Sequence, residues 1–218
     1  MDSAIFQDFL FVGLGNPGFQ YEKTRHNVGF LIIEEWAKRK KWMLKQERHV
    51  NALVAKGVIE GKNVHLLLPL TYMNLSGTAV KRYIDYYKLP VHSLVVVADD
   101  VALPYGYLRL KPTGGSGGHN GLKNIQNMLG TTDYTRLRVG VGQPKEQILA
   151  DYVLGCFEGV EREQLPLVID AGVKVLDQLL KETLGQVMST VNTNSFLFKE
   201  QDQEEKKRLD LTKPPLKG

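Results

Sequence analysis

The 218-residue sequence holds one cysteine, Cys156, and five histidines, none spaced as a metal-binding pair. A lone cysteine excludes an internal disulfide framework and suits a reducing compartment. With no H-x-x-x-H pair and no second thiol, the usual zinc and iron signatures are missing, so no metal and no cofactor is expected. No apolar run approaches the roughly 18 residues that a membrane helix needs, and residues 1–8 are too polar and acidic for a secretory leader. These gaps predict a cytoplasmic protein with no membrane partner. No histidine follows His119. That excludes a familiar chemistry, because Gly114-Gly115-Ser116-Gly117-Gly118 matches the serine nucleophile elbow, whose triad runs Ser, acid, His along the chain. His119 lies only three residues past Ser116, so Ser116 is expected to be a loop residue. Cys156, between Gly155 and Phe157, is expected to be a small core residue and no nucleophile.

What is present describes a soluble globular chain, 43% hydrophobic and 24% charged, of a size that suits one α/β domain. The net charge of +4 is mild, but its distribution is not. Between residues 101 and 145, Arg109, Lys111, Lys123, Arg136, Arg138 and Lys145 face a single Asp133, a local charge of +5. The rest of the chain sums to −1. A basic face concentrated in one segment predicts a polyanionic partner, nucleic acid first.

Organisation centres on residues 10–30. A short apolar strand breaks at Gly13-Leu14-Gly15-Asn16-Pro17-Gly18, and a helix begins near His26. Gly13-x-Gly15-x-x-Gly18 fits the dinucleotide fingerprint, but Pro17 and the polar run 20–24 delay the helix that should receive the pyrophosphate. Nucleotide binding is therefore not expected here. Downstream, strands are predicted over 51–59, 64–68, 94–98, 107–111 and 137–141, with helices over 75–88, 122–129 and 159–184. The outcome is an α/β fold, a single domain with a twisted mixed β-sheet and helices on both faces, over residues 1–198. Residues 199–218, with six basic and five acidic residues, are expected to form a charged, disordered tail.

Asn16, Asn74, Asp99 and the glycine tract 114–121 each follow a predicted strand, which is the pattern of a shared active-site edge. His26 would stand at a helix N-terminus, where the dipole favours the neutral imidazole that a general base requires. Asp99 is placed to accept its other ring N–H. Asparagine amides can hold a water or polarise a carbonyl without adding charge. Together these groups suit water-mediated acyl hydrolysis.

Six segments in order carry a more specific signal: Val12-Gly13-Leu14-Gly15-Asn16-Pro17-Gly18 with Tyr21, Thr24-Arg25-His26-Asn27-Val28-Gly29, Thr71-Tyr72-Met73-Asn74-Leu75-Ser76-Gly77, Asp99-Asp100, Gly117-Gly118-His119-Asn120-Gly121-Leu122-Lys123, and Arg136-Leu137-Arg138-Val139-Gly140-Val141-Gly142. In these the chain resembles the bacterial-type peptidyl-tRNA hydrolases. The resemblance implies a monomeric, metal-independent enzyme that cleaves the ester between a peptide and the terminal ribose of tRNA, a step of translation quality control and tRNA recycling. It implies His26 as catalytic base, Asp99 as its orienting acid and Asn16 as a catalytic amide. Tyr21, Met73, Asn74, Asn120 and Gly117 correspond to substrate-binding positions, and Arg109, Lys111, Arg138 and Lys123 to tRNA-binding ones. Asp100 stands where Glu is commoner, Ala102 replaces a frequent acid, and Arg109 replaces a frequent Lys. Two alternatives share parts of this pattern. Plastid splicing factors bind RNA through the same fold without catalysis, and a small-molecule acyl hydrolase would need no basic cluster.

Overall fold

The structure, a computed structural model, describes residues 8–144 and 148–193. One seven-stranded sheet runs through it in the order β2-β3-β4-β1-β5-β7-β6. Its central strands, β1 (Asp8–Gly13), β4 (Lys62–Pro69), β5 (Leu94–Asp100) and β7 (Thr135–Gly140), are parallel. The outer strands β3 (Ala52–Ile59) and β6 (Leu108–Lys111) pair antiparallel to β4 and β7. Buried parallel strands must be apolar on both faces, and β5 reads Leu-Val-Val-Val-Ala before its two acids.

Alternation sorts the sheet residues into two cores. Phe9, Phe11, Val95, Val97, Leu137 and Val139 face α1 (Val28–Arg39) and α5 (Gly159–Leu179). Leu10, Val12, Val96 and Ala98 face α2 (Ser76–Tyr87) and α3 (Asn120–Leu129). The expected mixed sheet with helices on both faces is the fold observed.

Backbone contact fixes how α1 meets the sheet. A Cβ on Gly13 would lie 2.4 Å from the Gly29 carbonyl oxygen, and one on Gly29 would lie 2.4 Å from that of Val97. A Cβ on Gly15 would fall 2.6 Å from the Phe30 ring. Gly13 and Gly15, two of the three glycines that mimic a dinucleotide fingerprint, therefore serve close helix–strand packing, whereas Gly18, at φ 112°, serves the turn. That approach sets the turn before α1 against the carboxyl end of β5.

Five local expectations are corrected. The helix near His26 begins as a single 3-10 turn, Arg25–Asn27, before α1 proper. Residues 45–47 form a short edge strand, β2 (Lys45–Glu47), too polar to show a strand period. A six-residue helix, α4 (Leu149–Leu154), precedes α5. The helix expected over 159–184 ends at Leu179, and a further helix, α6 (Leu184–Thr193), starts afresh where it was expected to stop. There the Thr183 N–H donates to Gln186 Oε1 at 3.0 Å and the Gln186 N–H donates to Thr183 Oγ1 at 3.4 Å, a capping box. Cys156 is exposed in the turn between α4 and α5, and Phe157 takes the inner position instead. The expected tail, residues 199–218, lies outside the described residues. Among the described residues no helix is long and apolar enough to cross a membrane.

Candidate active site

The carboxyl ends of the parallel strands meet on one edge, where α/β folds place their ligands. Asp99 reaches it from β5 and is 3% exposed. Two imidazoles converge on the same carboxylate oxygen. His26 Nδ1 lies 2.8 Å from Asp99 Oδ1, and His119 Nε2 lies 2.9 Å from it. Burial alone would push the carboxyl up, but His119 and His26, through charge and hydrogen bonding, outweigh it and hold Asp99 well below the usual carboxylate range.

Partners then fix the protons. An ionised Asp99 only accepts, so each histidine must present an N–H to it. The other nitrogen of His119, Nδ1, accepts the N–H groups of Gly121 and Leu122 at 3.1 and 3.3 Å, capping α3. In this arrangement of hydrogen bonds His119 carries its proton on Nε2. His26 carries its proton on Nδ1, which leaves Nε2 as the basic nitrogen. Among the described residues His26, Asp99 and His119 form the one group with metal-ligand spacing. The His119 nitrogen facing Asp99 bears a proton, however, so it offers no lone pair to an ion without breaking the α3 cap.

Neighbouring elements hold this relay in place. Arg25, beside His26 and 9% exposed, donates to Glu161 at 2.6 Å and stacks 4.3 Å over the Tyr152 ring, tying the turn to α4 and α5. Asn27 clamps the backbone of Asn16: its Oδ1 accepts the Asn16 N–H and its Nδ2 donates to the Asn16 carbonyl, both at 2.9 Å. Asn16 Oδ1 accepts the Met73 N–H at 2.7 Å, which leaves Nδ2 as the end of that amide available to donate. An interlocked pair of asparagines thus joins the glycine loop, the α1 turn and the turn before α2.

Two cavities meet at His26. One, of about 280 Å³, is walled by Asp99, Gly117, Gly118, Arg138 and the α4 residues Leu149 and Val153. The other, of about 450 Å³ and more open, is walled by Asn16, Tyr21, Met73, Asn74 and Leu154. Asn120, Ala150 and Val153 line both.

His26, Asp99, Asn16, Tyr21, Met73, Asn74, Asn120 and Gly117 are therefore brought together. Arg138, 6% exposed, lines the first cavity while donating to the Gly115 carbonyl at 2.8 Å and to Asp100 at 3.4 Å. Arg109 and Lys111 are exposed on the edge strand β6, and Lys123 is exposed on α3, all away from the cavity walls. Sequence reasoning missed His119 as a partner of Asp99, Asn27 as a clamp, and α4 as a wall.

Comparison with known proteins bears on the family and the fold. A family model described as peptidyl-tRNA hydrolase matches residues 10–202. A peptidyl-tRNA hydrolase of Gloeobacter violaceus is 45% identical over 188 residues, covering 86% of this chain and 95% of that protein. One from Carboxydothermus hydrogenoformans is 45% identical over 184 residues, covering 84% and 98%. The crystal structure of peptidyl-tRNA hydrolase from Acinetobacter baumannii superposes with a TM-score of 0.81 at 35% identity, covering 88% of this chain and 97% of that one.

Proposed function

The chain belongs to the peptidyl-tRNA hydrolase family, and from that premise we propose that His26, as general base, drives its cleavage of the ester between peptide and terminal ribose. The reaction is hydrolysis of peptidyl-tRNA to free peptide and tRNA. The observation that carries the mechanism is the relay in which Asp99 accepts from both His26 and His119, leaving His26 Nε2 at the junction of the two cavities. A water held there gives its proton to Nε2 and attacks the ester carbonyl. Asp99 steadies the imidazolium that forms, and the ring returns the proton to the leaving ribose oxygen. Nδ2 of Asn16 and the amides of Asn74 and Asn120 supply neutral donors for the carbonyl oxygen as it gains charge.

The cavities divide the substrate between them. The first, with Gly117, Gly118 and Arg138, takes the terminal nucleotide, and the second, with Tyr21, Met73 and Asn74, takes the peptide. On this reading the protein acts as a monomer in the cytoplasm, where peptidyl-tRNA arises. Two carboxylates line the first cavity. Asp99 is committed to the histidines and Asp100 is paired with Arg138, so a free ammonium entering there would lose water without gaining an uncommitted counter-ion. N-blocked peptidyl-tRNA should therefore be cleaved at least tenfold faster than unblocked aminoacyl-tRNA in a side-by-side assay. Equal rates would mean the amide wall is misread.

Arg109 and Lys111 on the exposed β6 edge hold the acceptor stem through its phosphates, adding affinity with little sequence preference. Changing both to glutamine should raise KM for peptidyl-tRNA and flatten its salt dependence, while a short peptidyl-nucleoside ester is cleaved nearly as before. Equal losses on long and short substrates would assign these residues to the fold or the chemistry.

A further inference from the structure

Arg136 enters β7 directly opposite Lys111, and Arg138 lies opposite Arg109. Leu110, Leu137 and Val139, the residues between, pack into the core under α1 and α5. Side chains alternate along a strand, so the four cations share the other face. Like charges directly across an antiparallel pair repel, and here two such pairs adjoin. Asp100, 3.4 Å from Arg138, is the one carboxylate bonded to any of the four among the described residues.

Arg136 is the anomaly among them. It is 1% exposed, yet its Nη1 and Nη2 donate only to the backbone carbonyls of Thr132 and Tyr134, at 3.0 to 3.2 Å. Its guanidinium stacks 3.9 Å over the Tyr134 ring, and its Nε–H has no acceptor. Among the described residues it makes no ion pair. A guanidinium stays charged even when buried, and a buried charge without a counter-ion is costly to keep. The Thr132 carbonyl that it holds also accepts Thr113 Oγ1 at 3.0 Å, two residues past Lys111. Arg136 thus braces the exit of β6 and charges it from beneath.

We propose that Arg136 is a positioning residue for tRNA, a permanent charge left without a protein counter-ion so that substrate phosphate at the β6 edge completes the corner. The proposal rests on reading β6 as the tRNA-binding strand. Phosphate bound by Arg109 and Lys111 relieves the repulsion that the free protein tolerates, so part of the binding free energy is stored in the apo corner.

Two substitutions separate charge from packing. Arg136→Gln keeps amide donors for the Thr132 carbonyl but removes the charge, and Arg136→Lys keeps the charge but loses the fork. With the full-length protein and an unacylated acceptor-stem minihelix as probe, Arg136→Gln should weaken binding roughly five- to tenfold at low salt, the gap closing as salt screens the field. Arg136→Lys should stay within about twofold of wild type. With peptidyl-tRNA the loss should appear in KM and not in kcat. Equal weakening by both variants, or wild-type affinity in Arg136→Gln, would overturn the proposal.

A third variant leaves Arg136 intact. Lys111→Glu places a carboxylate opposite it and should raise the Tm of the free protein by roughly 1–3 °C, and an unchanged or lower Tm would remove the claimed repulsion. Should neutralising Arg109 and Lys111 leave minihelix affinity untouched, the β6 edge itself is misassigned and the role of Arg136 falls with it.

Discussion

His26→Ala lowers turnover of peptidyl-tRNA by roughly 10²–10⁴-fold, the usual worth of a positioned general base, while affinity for an acceptor-stem minihelix is retained. His26 is 8% exposed, with Nδ1 bound to Asp99 and the residue lining both cavities. Removing it deletes the proposed proton acceptor but leaves Arg109 and Lys111 on a strand at the far edge of the sheet. His119 does not take over. Its Nδ1 is held by two α3 amides and its Nε2 proton by Asp99, so it has no lone pair to offer a water. Rates and minihelix affinities measured on the same preparations check this, and turnover near wild type would remove His26 from the chemistry.

Asp99→Asn should fold and bind but lose roughly 10²–10³-fold in kcat, the range seen when one electrostatic partner of a transition state is removed. A simple tautomer argument is insufficient here. Both histidines donate to the same oxygen, Oδ1, and an asparagine can place its carbonyl oxygen there and keep both hydrogen bonds. What it cannot keep is the negative charge that stabilises His26 as it takes up a proton. Because the two histidines hold Asp99 below the ordinary carboxylate range, that charge is present throughout any neutral or mildly acidic assay. The deficit of Asp99→Asn should therefore persist across the pH–rate profile. A deficit confined to one limb would point to a tautomer effect instead.

Much of this site was legible because its groups sit where strands end. Asn16 follows β1, Asp99 ends β5, and the apolar run of β5 marks a central strand without any structure. The +5 segment also foretold the β6–β7 corner, although not that Arg136 would be buried and Arg109 exposed. His119 was missed for a physical reason. Its neighbours Gly117 and Gly118 suggest a backbone cradle, and nothing in that pattern says that the ring caps α3 through Nδ1 and turns Nε2 to a carboxylate 20 residues away. Asn27 has no local signal either, since its partner is the backbone of Asn16. The break before α6 was legible after all. Thr183 and Gln186 have capping-box spacing, which the apolar period of the longer run obscured.

Direct attack by water is the central claim, and pre-steady-state quenching with enzyme in excess over peptidyl-tRNA, in chelator, tests it most directly. Ser116 and Cys156 are the rival nucleophiles; neither lines the two cavities, and Cys156 is exposed beyond α4. The relay predicts that free peptide and free tRNA appear together at one rate, with no protein-bound peptide at any time and no need for added metal. A covalent peptide–protein species that forms and decays at a competent rate, or cleavage that requires a divalent ion, would contradict it.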